Sequence, residues 1–489
     1  MKNKYPIEKR IADIKKTFCD NEDLIVRNFE IGEIKLALVF LDEMSNQEEI
    51  NKNILTPLLS SKEKIDEKDV LNTLTSTLVP YCNLQQCSEE ESIELILRGF
   101  TALYIDGVEK LVLFNTTKFE TRGVEEPPTS TVISGPREGF NENIKINLSL
   151  IRRRLLSTKL KIDDMLVGTR TKTKVSLVYF KDIADKRVVD EIKRKLSSFE
   201  VDGVLDSHYL TNFLEDRPNS IFRQVGNSEK PDIVCSKILE GRVAILVDGS
   251  PIVLTVPFII FEDFQSANDY YSNSHRVAML RIIRLIGIFI AVFLPGMYIA
   301  MQLYHYKILP LKFLVTIVST TQNLPLNPFL EILFIIVLFD ILFEASVRMP
   351  KYLGMAISIV GALILGDTAV KAGLVSPPGV MIVALSAMTV YIIPNQSPQI
   401  SIMRLMFAVI GGTLGFHGLI LSFIYLVSYL SNFDSFGSPY LAPFAPKIDA
   451  DVKDFVFKEG LIRMKTRPHS IPHKNDVRLK IKSKGEKIK

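Results

Sequence analysis

Between Arg281 and Leu430 the chain carries a series of long runs almost free of formal charge. Leu285 to Leu303 has none, and Tyr352 to Gly366, Pro378 to Ile393 and Leu405 to Leu430 are nearly as apolar. About 20 apolar residues suffice for a helix to cross a bilayer, so this block constrains the fold more than any other stretch. The residues before it are charged and mixed, and a basic stretch follows. The expected architecture is an N-terminal soluble α/β domain of two subdomains, then an α-helical polytopic membrane domain. A length of 489 residues accommodates this,. The expected divisions are subdomain 1 over 1–125, subdomain 2 over 135–256, a collar over 257–280, the membrane block over 281–430 and a basic tail over 431–489. Net charge is +4, too small to argue for nucleic acid,.

The first half alternates strands with helices, as mixed α/β layers do. Residues 1–30 are charged and open with a helix, and Ile34 to Phe40 reads as a strand,. Glu48 to Leu59, Asp69 to Leu78 and Glu90 to Leu97 read as helices. Two hairpins turn at Asp106-Gly107 and Asp248-Gly249, a dipeptide suited to primed turns,. A polar linker with Pro127-Pro128 separates the subdomains,. In the second, Asn143 to Leu156 is a basic amphipathic helix, Thr173 to Phe180 a strand, Ile183 to Leu196 a helix and Val201 to Leu205 a short strand. Arg137 and Arg152-Arg153-Arg154 are candidate anion contacts, weighed against a solvated face or an interdomain salt-bridge strip. Asp202, Asp206 and His208 fit turn and cap roles better than a metal site. The four cysteines match no zinc or redox spacing and suit a reduced compartment,. No apolar run follows the charged Met1 to Arg10, so no cleaved leader is expected,. No metal or cofactor motif, Walker A, GxSxG or HExxH is present, and no catalytic constellation stands out,.

Pro257 to His275 is aromatic and acidic, as at a membrane interface, and Arg276, Arg281 and Arg284 place that end in the cytoplasm,. The first span covers Ile282 to Leu303, with a kink expected at Pro295-Gly296,. Ile308 to Thr320 is too short for a vertical crossing and is expected to be interfacial or re-entrant,. The second span, Phe329 to Val347, carries Glu331, Asp340 and Glu344. Carboxylates facing lipid are costly, so these must face protein or water. Asp340 and Glu344 share one face, lining an ion path or, alternatively, an interface where Glu344 pairs with Arg348. Phe339 and Leu342 are candidates for an apolar constriction that closes by dewetting. The third span runs from Leu353 to Ala372, with small residues including Gly361 and Gly366 for close packing and Asp367 set to pair with Lys371,. Val380 to Ile393 is a short fourth span, and Met403 to Tyr429 a fifth with a stripe that includes Gly411 and Gly415. Two cytoplasmic ends require an even number of crossings, which the candidates do not settle.

Several stretches are more specific. They include Ser134-Gly-Pro-Arg-Glu-Gly-Phe140, Asp202-Gly-Val-Leu-Asp206-Ser207, Glu240-Gly-Arg-Val-Ala-Ile-Leu-Val-Asp248-Gly249, Leu294-Pro-Gly-Met-Tyr298 and Ser438-Pro-Tyr-Leu-Ala-Pro443-Phe-Ala-Pro446. With these motifs in this order the chain resembles the A-subunit family of GerA-type spore germinant receptors, most strongly from about residue 130 to 446. The family pattern has a further acid where this chain has Ile336. The resemblance implies a multi-pass component of the spore inner membrane, its N-terminal domain and C-terminal tail cytoplasmic. It implies partners: a transporter-like B subunit, a lipoprotein C subunit, membrane lipids, and copies of itself in a homo-oligomer, pentameric in current models. It implies a nutrient-gated passage for monovalent cations that triggers germination. A secondary transporter and a membrane scaffold without its own pore are the alternatives.

Overall fold

The structure is a computed structural model that describes residues 5–32, 34–60, 84–118, 135–322, 324–348, 366–455, 458–460 and 462–480. It divides into two compact units. One is built from residues 1–258, 434–438 and 461–489, and the other from 259–433 and 439–460. The helix expected over Asp69 to Leu78, the Pro127-Pro128 linker and most of the third span lie outside the described residues.

The first unit is α/β. After helix α1 (Ile7–Thr17), strands β1 (Leu24–Ile31) and β2 (Ile34–Leu41) pair as an antiparallel hairpin. A helical run over 47–60 follows, then β3 (Leu84–Cys87), α2 (Glu89–Leu97), β4 (Thr101–Ile105) and β5 (Leu111–Phe114). The five strands form an antiparallel sheet in the order β1-β2-β4-β5-β3. Side chains alternate along β2. Leu36, Leu38 and Phe40 join one apolar core with Ile50, Ile54 and Leu58, and Ala37, Val39 and Leu41 join another with Ile14, Phe18 and Ile96,. With both faces covered, the strand reads as one unbroken apolar run.

The second half of this unit repeats the plan. It contains α3 (Ile144–Arg154), β6 (Leu160–Val167), β7 (Thr173–Phe180), α4 (Lys186–Ser197), α5 (Ser207–Leu214), β8 (Gly226–Ser228), α6 (Pro231–Glu240), β9 (Val243–Val247) and β10 (Val253–Val256). Its sheet order is β6-β7-β9-β10-β8, the first sheet's order with every strand advanced by five. The hairpins predicted at Asp106-Gly107 and Asp248-Gly249 occupy equivalent places. The strand expected over Val201 to Leu205 is irregular. The carbonyls of Val201 and Asp202 accept from the amides of Thr169 and Arg170 at 2.8 and 2.9 Å, so this segment closes the β6–β7 turn instead of adding to the sheet. Asp206 caps α5 through the His208 amide at 2.9 Å, in keeping with a cap role.

The expected separate basic tail is divided between the units. In the α/β unit Ser435 Oγ donates to the Gln224 carbonyl at 2.7 Å, Arg467 Nε donates to the Leu239 carbonyl at 2.7 Å, and His473 pairs with Ala184. Buried polar groups need such partners, which is why these residues fold back onto the unit.

The second unit is helical: α7 (Ser274–Leu303), α8 (Leu311–Thr321), α9 (Pro328–Arg348), α10 (Pro377–Val390) and α11 (Ser397–Ser431). Among the described residues α7 and α11 are long and apolar enough to cross a membrane. Helix α7 continues through Pro295, which costs one backbone donor but leaves the rest of the ladder in place,. A break lies in α11, at Gly415 with φ 62° and ψ −153°. It reverses the chain. Phe293 on α7 stacks edge-on against both Phe407 and Phe423, at 4.5 and 5.6 Å between centroids, whereas a straight helix would hold those two residues about 24 Å apart. Both ends of α11 return to one neighbourhood: Gln396 Nε2 donates to Asp263 at 2.6 Å, and the Tyr440 carbonyl just beyond accepts from the Ile260 amide at 3.1 Å. The single fifth span read from the sequence is therefore two antiparallel limbs. Only a glycine adopts the Gly415 conformation without strain.

Candidate functional site: the acidic helix and its arginine

Helix α9 starts at a proline, and the Asn327 side chain accepts from the Leu330 amide at 2.8 Å,. Its apolar residues then divide by face. Ile332, Ile335 and Ile336 are buried with Tyr298, Ile299 and Val383. Leu330, Phe334, Val337 and Ile341 form an exposed stripe at spacings of three and four, and Glu344 continues it,.

The three acids of α9 have three different settings. Glu331 is fully buried at the start of α10, where its Oε1 accepts from the Ser376 amide at 2.7 Å and the Ser376 hydroxyl at 2.6 Å. Amides at a helix N-terminus carry partial positive charge, so Glu331 fastens α9 to α10. It is enclosed rather than turned toward an open path. Asp340 is half exposed and lines a cavity of about 940 Å³ with Ile341, Glu344, Met388, Tyr391 and Ser401. Its Oδ1 accepts from Arg404 Nη2 at 2.5 Å, and Ser401 Oγ donates at 3.3 Å. Glu344 pairs with Arg348 at 2.6 Å, both well exposed. Phe339 is packed against the buried isoleucines, and Leu342 beside it is half-buried.

The packing candidates divide as well. A Cβ at Gly411 would lie 2.3 Å from the Gly296 carbonyl oxygen, so the α7 and α11 backbones touch there and tolerate no side chain,. At the fold-back, Tyr304 donates to the Gly412 and Thr413 carbonyls, at 2.9 and 3.1 Å, next to the break at Gly415. Gly366 faces open space, and Gly361 lies outside the described residues. Asp367 and Lys371 pair at 2.6 Å on an exposed face.

The arginines offered as anion contacts are engaged within the α/β unit. Arg152 is buried and bonds Asp23 through Nε at 2.9 Å, tying α3 to the strand entry of the first subdomain. Arg153 and Arg154 each reach Glu138 at 2.5 Å. Partial burial pushes the Glu138 carboxyl up, and the hydrogen bonds from the two guanidiniums outweigh it, leaving it below the usual range,. The salt-bridge strip fits these residues better than a free anion site, and Arg137 has partners of its own.

Two features went unread in the sequence. Arg404 sits at the apolar edge of the run that begins at Leu405, and a lone cation beside such a run was the available signal,. The other is a buried cluster below α7. Arg281 reaches Asp269 at 3.2 Å and the Asp454 and Phe455 carbonyls at 2.6 Å, and Arg284 reaches Asp269 at 2.6 Å. Burial pushes the Asp269 carboxyl up, and the two guanidiniums with the Ser266 amide more than offset it, so it lies below its ordinary value. Arg281 thus ties the segment around Asp454 to the base of the helical unit, and Arg284 holds Asp269 beside it.

Comparison with known proteins places the chain in a family. The sequence pattern of the Bacillus/Clostridium GerA spore germination protein matches residues 12–470, and the chain belongs to that family. Spore germination protein KA of Bacillus subtilis (strain 168) is 34% identical over 478 residues, covering 96% of this chain and 88% of the relative. Spore germination protein GerLA of Bacillus cereus is 32% identical over 480 residues, covering 97% of each. Among solved structures, the N-terminal domain of the A subunit of the Bacillus megaterium spore germinant receptor GerK3 is 27% identical, covering 53% of this chain and 96% of that one with a TM-score of 0.42.

Proposed function

We propose that this chain is the A subunit of a nutrient germinant receptor. Its helical unit crosses the spore inner membrane several times, and copies of it assemble around a cation path gated by nutrient. Asp340 carries the proposal: a half-exposed carboxylate in the wall of a largely apolar cavity, with Glu344 one turn further along α9. A charge in that setting is tolerated where water or ions reach it. The exposed stripe of α9 suits contact with a second copy,. The homopentamer is the assembly that the family resemblance implies. The return of α11 to the neighbourhood of α7's start supports an even number of passes, with the α/β unit and the C-terminal residues on the cytoplasmic side. The partners are a transporter-like B subunit, which holds the nutrient, and a lipoprotein C subunit. Opening is a shift between closed and open assemblies.

Potassium flux through vesicles containing the full chain, with Asp340→Asn and Glu344→Gln compared to the native protein, tests this. A change in cation selectivity is expected in both variants, and unaltered conductance and selectivity in both would remove the pore. A second reading, a secondary transporter, gains from the helix reversal at Gly415, since transporters build sites at interrupted helices,. Saturable uptake of a substrate by the purified chain would favour it.

A further inference from the structure

The ion pair at the cavity is lopsided. The Asp340 side chain is 44% exposed and that of Arg404 2%. Arg404 Nε and Nη1 are buried and meet no acceptor among the described residues, where Asp340 and Ser401 are the groups that compensate this guanidinium. A carboxylate in contact with a guanidinium presents a dipole, whose field falls off faster than that of a single charge. Glu344 is likewise matched by Arg348. In this conformation the acidic wall is therefore close to neutral and draws cations weakly. The Glu344 pair is exposed, and such pairs part at little cost. The Asp340 pair does not, because Arg404 would be left buried with its charge unmatched.

We propose that Arg404 is the counter-charge that silences Asp340 in the closed state, and that conduction requires this pair to separate. The inference rests on the reading of Asp340 as a residue of a cation path. It makes Arg404 a gating residue that touches no ion itself. Two arrangements, paired and parted, are what a switch needs, and any nutrient signal must favour the parted one.

The test uses the full-length chain in vesicles of phosphatidylethanolamine and phosphatidylglycerol, with resting potassium flux and the potassium-to-chloride permeability ratio as readouts. Arg404→Gln leaves Asp340 bare and is expected to raise resting flux about tenfold, within the usual range for coupled sites. Adding Asp340→Asn to it should abolish the rise. The exchanged pair D340R/R404D rebuilds the contact and should return resting flux to within about twofold of native, the scatter expected when a double-mutant cycle closes. If Asp340→Asn alters the permeability ratio while Arg404→Gln leaves flux and ratio native, the lock is overturned and the pore stands. If neither variant alters either readout, the pore itself falls, and the lock with it. Should Arg404→Gln fail to elute as the native chain does, the exchanged pair decides. Native elution with native flux supports the lock, and native elution with raised flux reduces the pair to a packing contact.

Discussion

Two ion pairs of almost the same length sit in the two units and do different work. Asp23 and Arg152 lie 2.7 Å apart with each side chain 1% exposed, and Arg404 and Asp340 lie 2.5 Å apart with only the arginine buried. The first is dry at both ends, so neither partner can exchange the other for water. The second is dry at one end, so Asp340 has water to turn to and Arg404 does not. A pair of the first kind is a staple, and a pair of the second kind can be a switch. The difference lies in solvent access rather than in the bond.

The staple gives the largest predicted effect. Arg152→Ala leaves Asp23 buried without its partner and should destabilise the α/β unit by about 3–5 kcal/mol. Hydrogen exchange in the full chain would show it as lost protection in β1 and β6, and unchanged protection would mean that the subdomains are held by apolar packing alone. Asp340→Ala strands Arg404 in the same way, but its site is half wet, and about 2–3 kcal/mol is expected. The double change D340L/R404M removes both charges and should recover most of that loss in thermal melts of the detergent-purified chain. Failure to recover would show that the partners act independently.

Glu43 sharpens the contrast through pH. Burial first, then the charges of Asp23 and Asp42, push its carboxyl from 4.5 up to about 8,. The folded state thus favours the protonated form more than the unfolded chain does. The resulting stability is fully present below pH 4.5 and is lost as pH rises to about 8, with a slope of up to about 1.4 kcal/mol per pH unit. Protection of the α/β unit should decline across that window in the native chain and much less in Glu43→Gln. A decline of equal slope in both would place the titrating group elsewhere.

Much of this was legible beforehand, and what was missed has physical reasons. The strands around Asp106-Gly107 and Asp248-Gly249 announced themselves by apolar runs and a turn dipeptide that only certain backbones accept,. β1 and β6 did not, because they carry Arg27, Asn28 and Glu30, and Asp163 and Asp164, and so look like polar segments. The repeated strand order was hidden as well, since topology survives where residue matches do not. Within the helical unit, the reversal at Gly415 looked like one more packing glycine, because a positive φ leaves no trace in a hydropathy pattern. Arg404 falls inside the fifth span read from Met403, but nothing local marks its role, because the significance of that charge depends on Asp340, 64 residues away in sequence.

The smallest predicted effect on stability bears most directly on function. Glu344 and Arg348 form an i,i+4 pair at 2.6 Å with side chains 61% and 78% exposed, and such pairs contribute about 0.3–0.5 kcal/mol. Glu344→Gln should therefore leave the melting temperature of the purified chain almost unmoved. If Glu344 faces water shared between copies, the same substitution should still lower the preference for cations over anions. A shift in permeability with no shift in melting separates this carboxylate from both ion pairs discussed above, whose loss would disturb the fold as well as any current. A large drop in melting temperature would instead mean that Glu344 is buried in the assembly, against another subunit, and that ions pass by another surface.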